Sequence, residues 1–193
     1  MLNEIVKDRN LILGSGSPRR KYFLEELGLE FEIRLKEIEE TYPRELRGAQ
    51  ISDYLARHKA GPFRDELLPN DILITADTIV WLSDHALGKP VDEKEAKEML
   101  LELSCSEHEV ISSVALTSIE RQVLVNETTR VKFKCLREEE IDFYIGKYKP
   151  FDKAGAYGIQ EWIGLVGIEW IVGSYFNVMG FPVQKFYEAL REF

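Results

Sequence analysis

Apolar residues recur along this chain either as short unbroken runs or at helical spacing, and the two patterns alternate. Leu11-Ile12-Leu13 is a short run closed by Gly14, which predicts a buried strand. Ser17 then stands as a helix N-cap with Pro18 at the first helical position, where a missing N–H costs nothing. Phe23, Leu24 and Leu27 repeat at helical spacing, and Gly28 supplies a C-terminal stop. Residues 30–36 read as a second strand. Residues 49–67 carry a helical pattern through Ile51, Tyr54 and Leu55 until Pro62, where the helix kinks or ends. Ile72 to Ala76 is a buried-type strand that runs into Asp77 and continues from Thr78 to Leu82, and Ser83-Asp84-His85 reads as a hairpin turn. Asp92 opens an amphipathic helix over 92–103, with Ala96, Met99, Leu100 and Leu103 on one face. Strands follow at 108–117, 122–126 and about 128–136, then a helix over Glu138 to Tyr148. Residues 153–160 read as loop plus extended chain, 163–173 as one or two strands, and Pro182 begins a last helix to Phe193. Helices and strands alternate irregularly, so the expected fold is α/β with a mixed twisted sheet and flanking helices rather than a regular Rossmann wind.

Composition narrows the class. A chain of 193 residues fits one large domain or one domain with two lobes, and its core needs no disulfide or metal staple. Hydrophobic residues make up 45% and charged residues 31%, ordinary for a globular protein. The formal net charge of −9 argues against non-specific binding to nucleic acid or anionic membrane, which needs a broad basic surface. A few focused cations can still hold a small anion. Cys105 and Cys135, without a CxxC, point to neither a disulfide framework nor a zinc site, and three histidines form no HExxH. No apolar signal core opens the sequence and no apolar stretch reaches ~18 residues, so a soluble cytoplasmic protein is expected.

Several groups of residues carry candidate chemistry, each beside a plainer reading. Gly14-Ser15-Gly16-Ser17-Pro18-Arg19-Arg20 joins a strand to a helix N-terminus, where free N–H groups and the helix dipole favour an anion. Two arginines add forked donors suited to phosphate, so the run forms either a phosphate cradle or a capped helix with solvated arginines. Asp77 follows an apolar strand and is either a metal ligand or general base, or the start of an Asx-turn. Glu39 and Glu40 repel each other unless metal or solvent relieves them; the alternative is an acidic loop. Lys89 sits between Gly88 and Pro90, which would aim its side chain, while Lys59 alone would read as a surface lysine. In the run from Asp152 to Gln160, small residues at 154–156 permit close approach of a ligand. Gln160 offers a donor and an acceptor, as reading a base edge requires. Cations for phosphates, carboxylates for a metal or water, and an amide for a base together make the set that phosphoanhydride hydrolysis needs.

Five motifs in order give the chain a resemblance to the Maf family over nearly its whole length. They are Ser15-x-Ser17-Pro18-Arg19-Arg20, Ala76-Asp77-Thr78, Gly88-Lys89-Pro90, the run Asp152 to Gln160, and Gly173-Ser174-Tyr175-x-Asn177-Val178-Met179-Gly180-x-Pro182. The resemblance implies a Maf/ITPase-like α/β fold over 1–193, with two lobes around a central cleft and often dimeric. It implies a nucleotide pyrophosphatase that converts a nucleoside triphosphate to the monophosphate plus diphosphate with a divalent cation, Mg²⁺ or Mn²⁺. By this resemblance Asp77 takes the proton-acceptor position, and Ser15, Arg20, Glu39, Lys59 and Lys89 match other polar positions. Glu39 and Asp77 would hold the metal; Ser15, Arg20, Lys59 and Lys89 would hold phosphates. Arg19, Thr78 and Gln160 match the subfamily resembling dTTP/UTP pyrophosphatases, where the 7-methyl-GTP type carries an aromatic residue, Gln and Glu. The alternatives are a 7-methyl-GTP pyrophosphatase and a non-catalytic nucleotide-binding regulator of cell division. Three positions depart from the family pattern. Cys105 stands for a usual Gly, Ser112 for Thr, and Glu161 for the Gly that often follows Gln160. The expected partner is a nucleoside triphosphate, with no nucleic acid and no membrane, and the expected assembly is a homodimer.

Overall fold

A computed structural model describes residues 2–193, so Met1 of the expected 1–193 domain lies outside the described residues. In chain order the elements are α1 (Leu2–Ile5), β1 (Asn10–Leu13), α2 (Pro18–Glu26), β2 (Phe31–Ile33), α3 (Ala49–His58), β3 (Asp71–Leu82), β4 (His85–Leu87) and α4 (Glu93–Leu103). Then come β5 (Glu107–Thr117), β6 (Gln122–Phe133), α5 (Glu138–Tyr148), α6 (Trp162–Gly167), β7 (Ile168–Val172), α7 (Tyr175–Val178) and α8 (Val183–Glu192). The sheet has seven strands in the order β2-β1-β3-β5-β6-β7, with β4 paired to β3. It is mixed. β2 and β3 both run parallel to β1, whereas β4 lies antiparallel to β3 and β7 antiparallel to β6. The α/β class with a mixed sheet and flanking helices is therefore as expected. Among the described residues no helix is long and apolar enough to cross a membrane.

The chain divides into two compact units. The first comprises residues up to Asp77, Ser112–Glu127 and Gly180–Phe193. In it, Leu13 pairs with Ile33 on one side and Ile74 on the other, so β1 is fully enclosed and its apolar run is buried. Ile12 and Leu73 pack with Ala60, Phe63 and Leu67, the residues that follow α3. Elsewhere in this unit Phe181 stacks on Phe23 of α2 and packs against Phe186 of α8. A polar chain also runs through the unit. The Ser52 and Ser113 hydroxyls meet at 2.7 Å, Ser113 donates to Asp53 Oδ1 at 2.6 Å, and Asn126 donates to the same carboxylate.

The second unit comprises Thr78–Ile111 and Thr128–Met179. The far half of β3 turns into β4 at the expected hairpin, but the loop is only Ser83 and Asp84, both at positive φ, and His85 already pairs with Leu82. Asp92 caps α4 by accepting from the Glu95 N–H at 2.8 Å. The inner face of α4 (Ala96, Met99, Leu100, Leu103) joins Ile141, Tyr144 and Ile145 of α5 and Val131 and Phe133 of β6 in one core. His108 lies in this core, 2.7 Å from the Tyr157 hydroxyl.

Four expectations change. The helix expected over 49–67 stops at His58, and Gly61–Glu66 forms a separate 3-10 turn, because Pro62 lacks the N–H that an α-helix would need. The two strands expected at 122–126 and 128–136 are one strand, β6; Asn126 stays in the ladder because its side-chain amide finds the Asp53 carboxylate. Residues 163–173 are half helix (α6) and half strand (β7), a choice that a short apolar run leaves open. Finally, Cys105 and Cys135 are joined by a disulfide. Their separation in sequence hides this, but the turn after α4 meets the end of β6 through the Cys105 N–H on the Lys134 carbonyl and the Phe133 N–H on the Ser106 carbonyl.

Candidate active site

The first unit gathers polar side chains around Asp77. Alternation along β3 puts Thr75 and Asp77 on one face. The Thr75 hydroxyl donates to the Ala56 carbonyl of α3 at 2.7 Å, and one helical step further on, Lys59 meets Asp77. Strand period and helix period thus bring a cation over the carboxylate, with Nζ 2.6 Å from Asp77 Oδ1. The same ammonium lies 2.8 Å from Glu40 Oε1. Asp77 sits in the middle of β3, not at its end, and is only 6% exposed. Burial pushes its carboxyl above the usual carboxylate range, while Lys59 and then Arg20 pull it back and Glu40 adds to the rise.

Arg20 enters the cluster from α2. Its Nη1 donates to the Ala76 carbonyl at 2.8 Å and to Ser15 Oγ at 3.2 Å, and its Nε donates to the Gly180 carbonyl at 3.3 Å. Arg20 thereby pins the peptide immediately before Asp77. Ser17 occupies the N-cap position with extended backbone but makes no side-chain cap bond; instead Ser15 Oγ accepts from the Ser17 N–H at 3.3 Å. The hydroxyl of Ser15, rather than that of Ser17, organises this turn. Arg19 stands beside Arg20, half-buried, in the first turn of α2.

Of the two adjacent glutamates, Glu40 is the one in the cluster. Glu39 is exposed and makes none of these contacts. Sequence reasoning could not choose between neighbours in a segment without regular structure. The signal that decides is the position of Lys59. Among the described residues no group of three or more His, Cys, Asp or Glu side chains converges as a metal cage. Two carboxylates, Asp77 and Glu40, share one ammonium. That donor set fits a hard divalent cation such as Mg²⁺, which takes most of its ligands from water and phosphate and only one or two from carboxylates.

The second unit holds the other residues singled out from sequence. Thr78 is half-buried in β3 and Lys89 is exposed between β4 and α4. The Gly155 N–H donates to the Gly88 carbonyl at 3.0 Å, so two of the motifs are neighbours. Gly155 lies at φ +66° in the 3-10 turn Ala154–Ala156, and a Cβ there would stand 2.9 Å from Val80 Cγ2. Only glycine satisfies both constraints. Gln160 is exposed and follows a run of buried residues, Gly155 to Ile159. The turn that carries it is held by Tyr144 and Lys153, both buried, and by Glu161; of these, the sequence shows Lys153 only as part of the run 152–160 and Glu161 only as a departure from the family pattern. No local pattern could have found Tyr144, which reads as one more apolar position of α5.

The Maf-like protein family matches residues 10–193. A protein of Flavobacterium psychrophilum named dTTP/UTP pyrophosphatase is 51% identical over 97% of this chain and 96% of its own length. One of Phocaeicola vulgatus with the same name is 49% identical over 100% of both chains. A solved structure of the Staphylococcus aureus Ham1 protein is 12% identical and covers 65% of this chain and 72% of its own, with a TM-score of 0.46. With a match from β1 to the last residue and relatives alike over their full lengths, the chain belongs to the Maf family.

Proposed function

We propose that this protein hydrolyses dTTP and UTP, and modified uridine triphosphates, to the nucleoside monophosphate and diphosphate, clearing the nucleotide pool. The reading rests above all on the buried Asp77 carboxylate, raised in pKa and set between Lys59 and Arg20. Relatives of about half identity that carry the name dTTP/UTP pyrophosphatase support the substrate class.

In the mechanism, Asp77 takes a proton from a water molecule as its oxygen attacks the α-phosphorus. The bond from that phosphorus to the bridging oxygen breaks, diphosphate leaves, and the proton passes to solvent. A carboxyl with a raised pKa suits this role, since a base works best when its pKa approaches the operating pH. Ser15, Arg20, Lys59 and Lys89 hold the phosphates. Lys59 also supplies positive charge beside Asp77. Glu39, or its neighbour Glu40 that meets Lys59, and Asp77 would hold Mg²⁺ or Mn²⁺, which when bound would neutralise charge on the phosphate oxygens. Arg19, Thr78 and Gln160 select the base. Uracil and thymine share an N3–H between two carbonyls, and one amide can meet both a carbonyl and that N–H. A cytoplasmic homodimer that binds no nucleic acid completes the reading, in keeping with the charge of −9.

Diphosphate release, measured over UTP, dTTP, CTP, GTP and 7-methyl-GTP with Mg²⁺ or Mn²⁺, tests the reading. UTP and dTTP should be the best substrates. Asp77→Asn should lower kcat by at least ~100-fold, the typical worth of one general base, and its melting temperature should not fall, because a neutral amide is no harder to bury than the carboxylate. Preference for 7-methyl-GTP, or release of nothing from any triphosphate, would overturn the reading.

A further inference from the structure

The turn that presents Gln160 is closed by a ring of hydrogen bonds in the second unit. The Glu161 N–H donates to the Gly158 carbonyl at 3.0 Å, which makes Gly158–Glu161 a turn with Gln160 at its third position. The Gly158 N–H donates to the Tyr144 hydroxyl at 3.0 Å, and that hydroxyl donates to Glu161 Oε2. Both ends of the turn are thus tied to one buried phenol on α5. Tyr144 is fully buried, and its hydroxyl is held protonated by burial first and by Glu161 second, so it remains a donor. Glu161 Oε1 lies 3.1 Å from Lys153 Nζ, which also lies 2.6 Å from Asp152 Oδ1. The Lys153 side chain is 9% exposed and that of Glu161 18%, so the pair is well shielded from water. Gly158 sits directly on this pair, since a Cβ there would be 3.0 Å from the Glu161 carboxyl and 3.1 Å from Lys153 Cε.

We infer that Glu161, through Tyr144 and Lys153, is a positioning residue that fixes the direction in which Gln160 leaves its turn and so sets selectivity for uracil over cytosine. The inference rests on the proposed action on uridine and thymidine triphosphates. Its physical basis is the two-fold ambiguity of a primary amide. In one orientation the amide meets the N3–H and a carbonyl of uracil, and in the flipped one it meets the N3 acceptor and amino group of cytosine. A Gln side chain on a loose turn meets either edge in whichever arrangement fits, whereas one held at a fixed origin and direction brings its amide to the same neighbours each time, and those neighbours hold one arrangement.

Tyr144→Phe removes one hydroxyl and keeps the ring, while Glu161→Gln keeps an acceptor and removes the charge. Measured with UTP and CTP under saturating metal, Tyr144→Phe should lower kcat/KM for UTP by about ten- to a hundredfold, the scale of a misplaced contact remote from the chemistry. The change should fall mainly on KM, and the UTP-to-CTP ratio should drop by a similar factor. Glu161→Gln should retain most of the ratio and Glu161→Gly should lose it. A merely structural role would lower both substrates alike and leave the ratio unmoved, and that result would overturn the inference. If Tyr144→Phe does not fold, the Glu161 pair decides by the same ratio. A wild type inactive on UTP would instead overturn the proposed function, and the inference with it. An active wild type with unchanged ratios in the variants overturns the inference alone.

Discussion

Asp77 shows how one residue's chemistry is set by what surrounds it. A carboxylate on a solvated loop would ionise in the ordinary range. Here burial opposes the charge, and Lys59 at 2.6 Å opposes burial. As the base, Asp77 must be deprotonated, so kcat/KM should fall as pH drops through its folded pKa, with an acid limb above the usual carboxylate range. Lys59→Met removes the larger of the two charges that pull this pKa down, so the limb should move to still higher pH. An acid limb that stays in place in Lys59→Met, or moves down, would remove Asp77 from the base role. Glu40 belongs to the same scale. It was legible only as one of a pair, because the 34–48 segment has no periodicity from which a facing side can be read.

Elements act here mainly by carrying residues to fixed offsets. β3 spaces Thr75 and Asp77 two apart, α3 and its C-cap space Ala56 and Lys59 three apart, and two bonds link the pairs. That correspondence is what makes a surface-type lysine at the end of a helix into a partner of a buried acid. The 3-10 turn at Ala154–Ala156 works differently, by close approach. Its Gly155 combines φ +66° with a neighbour, Val80, that leaves no room for a methyl group. Gly155→Ala should therefore destabilise the fold by more than ~1 kcal/mol, where the same replacement at an unstrained position would stabilise it, read as a lowered urea midpoint. Adding Val80→Ala should restore part of the loss, because it opens space but leaves the backbone strained. The disulfide is also a feature of elements, since α4 and β6 end side by side and bring Cys105 to Cys135.

At the scale of the whole molecule, stability should depend on pH through a residue outside the chemistry. His108 is buried against Phe133 and Tyr157, and burial lowers its pKa to about 4, slightly offset by Glu107. Unfolded, the same imidazole titrates near 6.5. Between those values the unfolded chain binds the extra proton, so stability rises with pH and is lost as pH falls from about 6.5 towards 4. The loss should approach about 1.4 kcal/mol per pH unit within that window. Urea midpoints of wild type and His108→Gln across it should converge at low pH. A wild-type midpoint that stays level from 6.5 to 4 would show that the imidazole is not buried neutral.

The sequence by itself determined the α/β class, most elements, the mid-chain hairpin and the motifs that identify the Maf family. These depend on signals carried within a few residues, such as apolar periodicity, caps at Asp92 and glycines at tight turns, and such signals survive in one dimension. Only the tertiary structure decided that Glu40 rather than Glu39 joins Lys59, that Ser15 rather than Ser17 supports the first helix turn, and that two cysteines bond. It also brought Tyr144, Lys153 and Glu161 around the turn of Gln160. In each case the partner lies far along the chain or in a segment without periodicity, so the interaction exists only once the sheet has fixed where strands and helices end.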